Sequence, residues 1–211
     1  MTTRLQLRTT IRERLEDTTA TPLWSDAALN DYLAAAMRAY GTHFPHRATA
    51  ATDPIPESAT SAPLPIAVPE TGIVAVRDAR GRDLPPASAG AGPSPLDATS
   101  LIQAWRVWSG TLRLQRPARG DEAGIWTIDY LAGRELVADD VTPQPIDSGD
   151  EPIVVALAAA QAMERRAVED AKRGTRVSLA TPPATEFRRE ADHLIAARKR
   201  HARGGSLTLM G

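Results

Sequence analysis

The sequence predicts an α+β protein: a bundle of two N-terminal and two C-terminal helices that carries a small antiparallel β insert and ends in an extended tail. Three observations predict this class. Helical periodicity occupies both ends of the chain, alternating apolar residues occupy its middle, and no helical pattern separates the candidate strands. The predicted segments are the helical hairpin 1–45, the Pro-rich linker and β insert 46–146, the C-terminal helices 147–203 and the tail 204–211.

Composition limits the possible functions. The 211 residues can bury one substantial core, and the absence of cysteine excludes disulfides and cysteine-ligated metals. The chain begins without the apolar core of a signal peptide, and its apolar runs are shorter than the roughly 20 residues of a membrane span, so we expect a cytoplasmic protein. Residues 1–150 hold 14 basic and 19 acidic side chains, and residues 151–211 hold 11 and 7. The C-terminal excess suits an acidic partner, although a solvated helix face explains it nearly as well.

Two amphipathic helices are predicted in the N-terminal segment. Apolar residues recur every fourth position within residues 3–17. After a short turn, Ser25 is a good N-cap for a second helix, Trp24 can pack onto Leu29 across that cap, and Gly41 is expected to end the helix. Their predicted contributions to the bundle core are Leu7, Ile11, Leu15, Leu29, Leu33 and Tyr40.

The middle of the chain is rich in proline. Nine of the 17 prolines lie between Thr52 and Ala98, so residues 43–70 are predicted to form an extended surface linker and residues 85–98 a mobile loop. Short runs between these stretches have the composition or the alternation of half-buried strands. The predicted strands are residues 72–77, 103–107, 111–115 and 125–130.

An alanine-rich helix over residues 152–173 is the predicted centre of the bundle. Acidic residues and Pro152 favour its start, Gly174 is placed to end it, and its alanines allow neighbouring helices to approach closely. A last helix follows Pro182-Pro183 and ends in a basic run, residues 198–203. The core positions predicted on these two helices are Ile153, Leu157, Phe187 and Leu194.

No catalytic pattern is present in the sequence. Phosphate-binding glycine loops, nucleophile elbows and metalloprotease motifs are missing, and His43 and His46 have no partner at a ligand spacing. The pair Asp139-Asp140 is most simply a solvated turn. We therefore expect a protein that is not an enzyme and that has no cofactor and no bound metal.

Three features allow more than one interpretation. The basic run 198–203 either docks on an acidic surface or phosphates, or complements the negative end of its own helix. Trp105 and Trp108 either stack on bases or, more commonly for such residues, pack on one face of a small sheet. The tail 204–211 alternates apolar and polar residues after Gly204-Gly205, which favours strand addition to a partner over a disordered end.

Several stretches together resemble the head–tail connector, or adaptor, proteins of tailed bacteriophages and related gene-transfer particles. The resemblance covers most of the chain and departs from the family in the long Pro/Ala-rich stretches 43–70 and 85–98. The stretches that carry it are Leu7-Arg8-x-x-Ile11-Arg12-x-Arg14-Leu15-x-Asp17, Trp24-Ser25-Asp26-x-x-Leu29-x-x-Tyr32-Leu33 with Ala36 and Tyr40, residues 109–117 (SGTLRLQRP), Ile128-Asp129-Tyr130, and the acidic link into Pro152-Ile153-Val154.

The resemblance implies a structural protein of the virion, assembled in the host cytoplasm. Such adaptors form a ring of about twelve copies beneath the portal protein, extend the DNA channel without binding DNA specifically, and bridge to a stopper or tail-completion protein. Their C-terminal segment embraces the portal. By position, the implied portal-binding residues are Arg198, Lys199, Arg200, Arg203, Leu207 and Leu209.

One rival function belongs to a different class. A DNA-binding packaging or regulatory subunit would use the same basic last helix and would lose affinity steeply as salt rises. The near-neutral net charge and the lack of a helix-turn-helix pattern speak against it.

Overall fold

A computed structural model describes residues 2–87, 103–173 and 182–205. It confirms the predicted α+β class and divides the chain into two compact units, a helical unit of Met1–Phe44 with Gly133–Gly211 and a β unit of Pro45–Ala132. The elements in chain order are α1 (Arg4–Arg14), α2 (Asp26–His43), β1 (His46–Ala51), β2 (Ser61–Pro63), β3 (Ile73–Arg77), β4 (Asp83–Leu84), β5 (Trp105–Trp108), β6 (Thr111–Leu114), β7 (Thr127–Ala132), α3 (Glu151–Lys172) and α4 (Pro182–Gly205).

Both N-terminal helices begin at side-chain caps. Thr3 and Gln6 form a reciprocal capping box at the start of α1, and the Ser25 hydroxyl accepts a hydrogen bond from the Ala28 amide at the start of α2, as predicted. Trp24 and Leu29 are both buried in the core of the helical unit. The caps satisfy backbone amides that would otherwise lack partners at each helix start.

Gly41 does not end α2, contrary to the prediction. The helix continues to His43, and Gly41 is buried against the backbone of Arg134. A Cβ at this position would lie 2.5 Å from the Arg134 nitrogen. The glycine is therefore required by close packing between two segments and not by the left-handed backbone of a helix end.

The central helix of the bundle is α3. Its N-terminal half is buried without interruption from Ile153 to Ala160, and α3 packs against α1, α2 and α4. Small side chains on nearly every face let three helices approach it closely. The predicted end of this helix at Gly174 lies outside the described residues; within them, the C-cap is Arg173.

Most of the predicted bundle core is buried. Leu15 and Leu194 are half-buried and pack against the core, whereas Ala191 and Ile195 supply the buried face of α4. Phe187 lies half-buried with the Arg14 guanidinium 5.7 Å from its ring centre, at the edge of the bundle. The predicted core residues that are fully buried are Leu7, Ile11, Leu29, Leu33, Tyr40, Ile153 and Leu157.

The β unit contains two antiparallel sheets, with strand orders β1-β7-β3-β4 and β2-β6-β5. Their inner faces share one core, which includes the fully buried Trp126, Ile128 and Leu112. Ser109 and Gly110 both have positive φ, 49° and 68°, and form the two-residue turn that joins β5 to β6. The predicted strands 72–77, 103–107, 111–115 and 125–130 correspond to β3, β5, β6 and β7 to within two or three residues.

The interpretation of residues 43–70 as a surface linker is wrong. His46–Ala51 forms β1 and pairs with β7 in a regular antiparallel register from His46↔Ala132 to Ala51↔Thr127. Ser61–Pro63 forms β2, and Ile55 between them is buried. The predicted mobile loop 85–98 lies for the most part outside the described residues.

The β insert also ends earlier than predicted. The compact β unit closes at Ala132, and residues 133–150 belong to the helical unit instead of to an insert that reaches residue 146. The reason is Arg134, whose hydrogen bonds go to Phe44 and Asp147 on the helical side. None of the described helices is long and apolar enough to span a membrane.

Candidate functional site

The residues of the basic run at the end of α4 differ in their contacts. Arg198 forms an ion pair with Asp150, with Nε 3.2 Å from one carboxylate oxygen and 3.3 Å from the other. Lys199 Nζ lies 3.1 Å from Nδ1 of His43, and Arg200 is exposed to solvent. Within the predicted docking set, Arg198 therefore anchors α4, Lys199 is exposed but contacts His43 at the end of α2, and Arg200 is presented to solvent.

The remaining members of that set are not described in full. Arg203 lies in α4, but its side chain is outside the described part, and so are Leu207 and Leu209. Gly204 and Gly205, which were predicted to belong to the extended tail, continue the helix, and the rest of the predicted tail lies outside the described residues.

Asp150, the partner of Arg198, lies at a junction of helix ends. It is the N-cap residue of α3, but its carboxylate accepts a hydrogen bond from the Tyr40 hydroxyl at 2.8 Å instead of capping the helix. The same hydroxyl accepts the Asp147 amide at 3.3 Å. Burial, and then the hydrogen bond to Asp150, raise the pKa of Tyr40 well above its usual value, so the hydroxyl remains a donor at all ordinary pH.

Arg134 joins the end of α2 to the segment before α3. Its guanidinium donates to the carbonyl oxygens of Phe44 and Pro145, both at 2.6 Å, and to both carboxylate oxygens of Asp147 at 2.8 and 2.9 Å. It also lies 5.1 Å from the ring centre of Tyr40. The sequence reasoning missed this residue, since its partners are distant in sequence and no local pattern marks it.

The pair Asp139-Asp140 is more than a solvated turn. Asp140 accepts two hydrogen bonds from Arg8, at 2.9 and 2.8 Å, and one from Arg4 at 2.7 Å. The guanidinium of Arg8, followed by that of Arg4, lowers the pKa of Asp140. Asp139 accepts the amide of Thr142, and then that of Val141, within the turn, and these bonds lower its own pKa. Asp140 fixes α1 to the segment before α3, Asp139 stabilises the turn, and the contacts of both indicate a structural role.

The two tryptophans of β5 do not form a common platform. Trp105 is buried and donates its indole N–H to the Leu84 carbonyl at 2.9 Å, whereas 66% of Trp108 is exposed at the β5–β6 turn. Residues three apart on a strand point to opposite faces, so neither shared base stacking nor packing on one face describes the pair.

The outer face of the four-stranded sheet holds a charge cluster. Asp129 on β7 is buried beneath Arg47 of β1 and Arg77 of β3, both at 2.7 Å, and accepts a further bond from the Thr49 hydroxyl. That hydroxyl, followed by Arg47, lowers the pKa of Asp129. Its two arginines and one aspartate join three strands.

A groove opens where β1 ends. It has a volume of about 320 Å³ and lies between Ala51 and Asp53 on one side and the segment 63–66 on the other. Ile66 is fully exposed beside it. Apolar surface of this kind next to backbone polar groups suits an extended peptide better than a small charged substrate.

The histidines do not form a metal centre in the part of the chain that is described. No group of three or more histidine and carboxylate side chains is arranged there to hold an ion. A scan against protein-family models and a search of curated proteins found no match to the chain.

Proposed function

We propose that the chain is a structural adaptor at the head–tail junction of a tailed phage or a related gene-transfer particle, with no catalytic role. Copies of the chain assemble into a ring beneath the portal, extend the DNA channel and bridge to the stopper or tail-completion protein. DNA passes through the ring without specific binding. The protein is thus a component of the virion, assembled in the host cytoplasm.

The observation that carries the proposal is the length and anchoring of α4. Among the side chains that are described, Ile195 is the last buried apolar residue of α4, yet the helix continues to Gly205. At 1.5 Å per residue this extension is about 15 Å long. The Arg198–Asp150 ion pair fixes its direction near its start. An adaptor needs such an arm, basic and held rigidly, to reach an acidic partner surface.

The packing of α3 supports the same role. A ring subunit must keep its shape while it contacts a neighbour on each of two sides. The segment of α3 from Ile153 to Ala160 is buried on all faces, so it makes the centre of the bundle rigid. The β unit has its own core, so it can contact a further component without changing the bundle.

The test is the mass of the complex formed with the portal ring of the same particle, measured by light scattering without nucleic acid. We expect the chain to join the portal in a fixed multiple. Arg200→Glu reverses one exposed charge of the arm and should weaken binding several-fold at each site, an effect that the repeated contacts of a ring multiply. Arg189→Glu is the matched control, because Arg189 is an exposed arginine of the same helix outside the arm.

Two results would contradict the adaptor function. One is a chain that does not bind the portal at any salt concentration, and the other is equal weakening by Arg200→Glu and Arg189→Glu. Duplex DNA replaces the portal in a parallel titration. Binding that falls with salt at a slope of about −0.9 for each phosphate contact would instead favour the DNA-binding alternative.

A further inference from the structure

We propose that the outer edge of β1, together with the groove beside it, binds the C-terminal segment 206–211 of a second copy of the chain as an added β-strand. The inference takes from the proposed function only that identical copies of the chain assemble into a ring. The contact itself requires neither the portal nor DNA.

The backbone amides and carbonyls of β1 point alternately toward β7 and away from it. The Thr52 amide donates at 2.9 Å to the carbonyl of Trp126, the residue before β7, so this amide points to the β7 side of β1. Backbone groups alternate along a strand, and the β1–β7 register is regular. The amides and carbonyls of Arg47, Thr49 and Ala51 therefore point away from β7. No other strand in the described part of the chain pairs with this edge.

The other sheet edges are short or protected. β2 has three residues and contains Pro63, and β4 has two residues. The outer edge of β5 is met by the segment 85–87, because the Ala87 amide donates to the Trp105 carbonyl at 2.7 Å. Proteins normally guard an exposed edge by such means. Among the described strands, β1 is the long edge that lacks this protection, which indicates an edge kept open for a partner.

Small side chains and a groove lie beside the outer edge of β1. Ala48 and Ala50, whose side chains face the core of the β unit, are only half-buried. Their small side chains leave the rim of the core incompletely covered. The groove of about 320 Å³ at the end of β1 has the apolar segment 63–66 as its far wall. An added strand would pair with the backbone of β1 and place apolar side chains over Ala48, Ala50 and the groove.

The segment that follows α4 has the sequence expected of a strand that binds this edge. α4 ends at Gly205, and six residues, Ser206-Leu207-Thr208-Leu209-Met210-Gly211, follow it in the sequence. The six residues of β1 span about 20 Å, which is long enough to pair with the alternating stretch from Leu207 to Leu209. Leu207 and Leu209 alternate with Thr208, so both leucines would fall on one face of an added strand, over the rim of the core.

If a second copy donates the segment, the number of donated segments equals the number of β1 edges. Each chain has one such tail and one such edge, so head-to-tail exchange satisfies every edge, and a rotation that closes produces a ring. In this arrangement the basic arm of α4 meets the portal, while Leu207 and Leu209 bind the neighbouring copy instead of the portal.

The experiment uses two full-length variants that each lack half of the contact. Ala51→Pro removes an amide that faces outward from β1 and leaves the bonds to β7 intact, which makes that chain a donor alone. Leu207→Asp with Leu209→Asp makes a chain that is an acceptor alone. We expect the unmodified chain to associate as concentration rises, each variant alone to remain monomeric, and their equimolar mixture to have the mass of a heterodimer. Ala51→Val, which keeps the amide, should associate like the unmodified chain.

Three outcomes would overturn the inference: an unmodified chain that stays monomeric at all concentrations, a mixture of the two variants that stays monomeric, or association that persists in Ala51→Pro. If Ala51→Pro does not fold, Ile66→Asp replaces it, because this fully exposed side chain lies on the groove wall and contributes nothing to the core. A chain that binds the portal but fails the mixing test refutes the tail contact and leaves the adaptor function standing. The reverse result refutes the adaptor function alone.

Discussion

Replacing Gly41 with alanine is a sharp test of how the helical unit is packed. Helix propensity alone predicts that Gly41→Ala stabilises the protein by about 1 kcal/mol, because the position lies inside α2. The structure predicts the opposite sign. The new Cβ would lie 2.5 Å from the Arg134 backbone nitrogen and 3.2 Å from its Cβ, and a backbone atom cannot move away as the end of a flexible side chain can.

The magnitude follows from the two opposing effects. Overpacking of this kind costs about 1–3 kcal/mol. Moving Arg134 also lengthens its hydrogen bonds to Phe44 and Asp147, and bonds to charged groups contribute about 1.5–3 kcal/mol each when intact. After the helix-propensity gain is subtracted, we expect Gly41→Ala to lower the free energy of unfolding by about 1–3 kcal/mol.

Urea unfolding followed by far-ultraviolet circular dichroism measures this change, because the helices dominate that signal. Gly133→Ala is the control: Gly133 precedes Arg134, and a Cβ there would meet no atom within 4 Å. It should change stability by no more than about 0.5 kcal/mol. A Gly41→Ala variant at least as stable as the unmodified chain would refute the close approach of α2 and Arg134.

Two further predictions concern the polar contacts. Tyr40→Phe removes the hydroxyl that donates to the buried Asp150 carboxylate, so the free energy of unfolding should fall by about 1.5–3 kcal/mol in urea titrations; an unchanged midpoint would contradict the contact. Asp129 has a lowered pKa in the folded protein, below its unfolded value of about 3.9, so its contribution to stability is complete above that value and is lost as the pH falls through the folded pKa. Asp129→Asn should therefore be less stable at neutral pH and lose less stability than the unmodified chain between about pH 6 and about pH 3; parallel pH profiles would show that Asp129 makes no such contribution.

The sequence predicted what is encoded locally. The helical period of α3 and its buried alanines, the Ser25 cap and the alternation of β6 are each contained within a few neighbouring residues, and the structure confirms them. β1 was missed because its small residues, alanine and threonine among prolines, carry no apolar alternation. Its pairing with β7, about eighty residues later, is what makes it a strand.

The candidate site was harder to predict for the same reason. Arg134 contacts residues on both sides of the β unit in sequence, and Asp150 receives Tyr40 and Arg198 from two other helices. The basic sequence at residues 198–203 does not reveal that Arg198 forms an ion pair with Asp150. Only the three-dimensional structure distinguishes the basic residues that bind within the protein from those that are exposed to solvent.

The hydrogen bond between Arg134 and Phe44 bears on how the β unit could be gained or exchanged in evolution. The hydrogen bond of 2.6 Å joins the last residue before the β unit to the second residue after it, and His46↔Ala132 pairing keeps the two ends of the β unit side by side as well. A loop of a few glycines could therefore replace residues 45–132, and a foreign domain with adjacent termini could be spliced in their place. The β unit could therefore be exchanged as a whole domain while the helical unit keeps its own core.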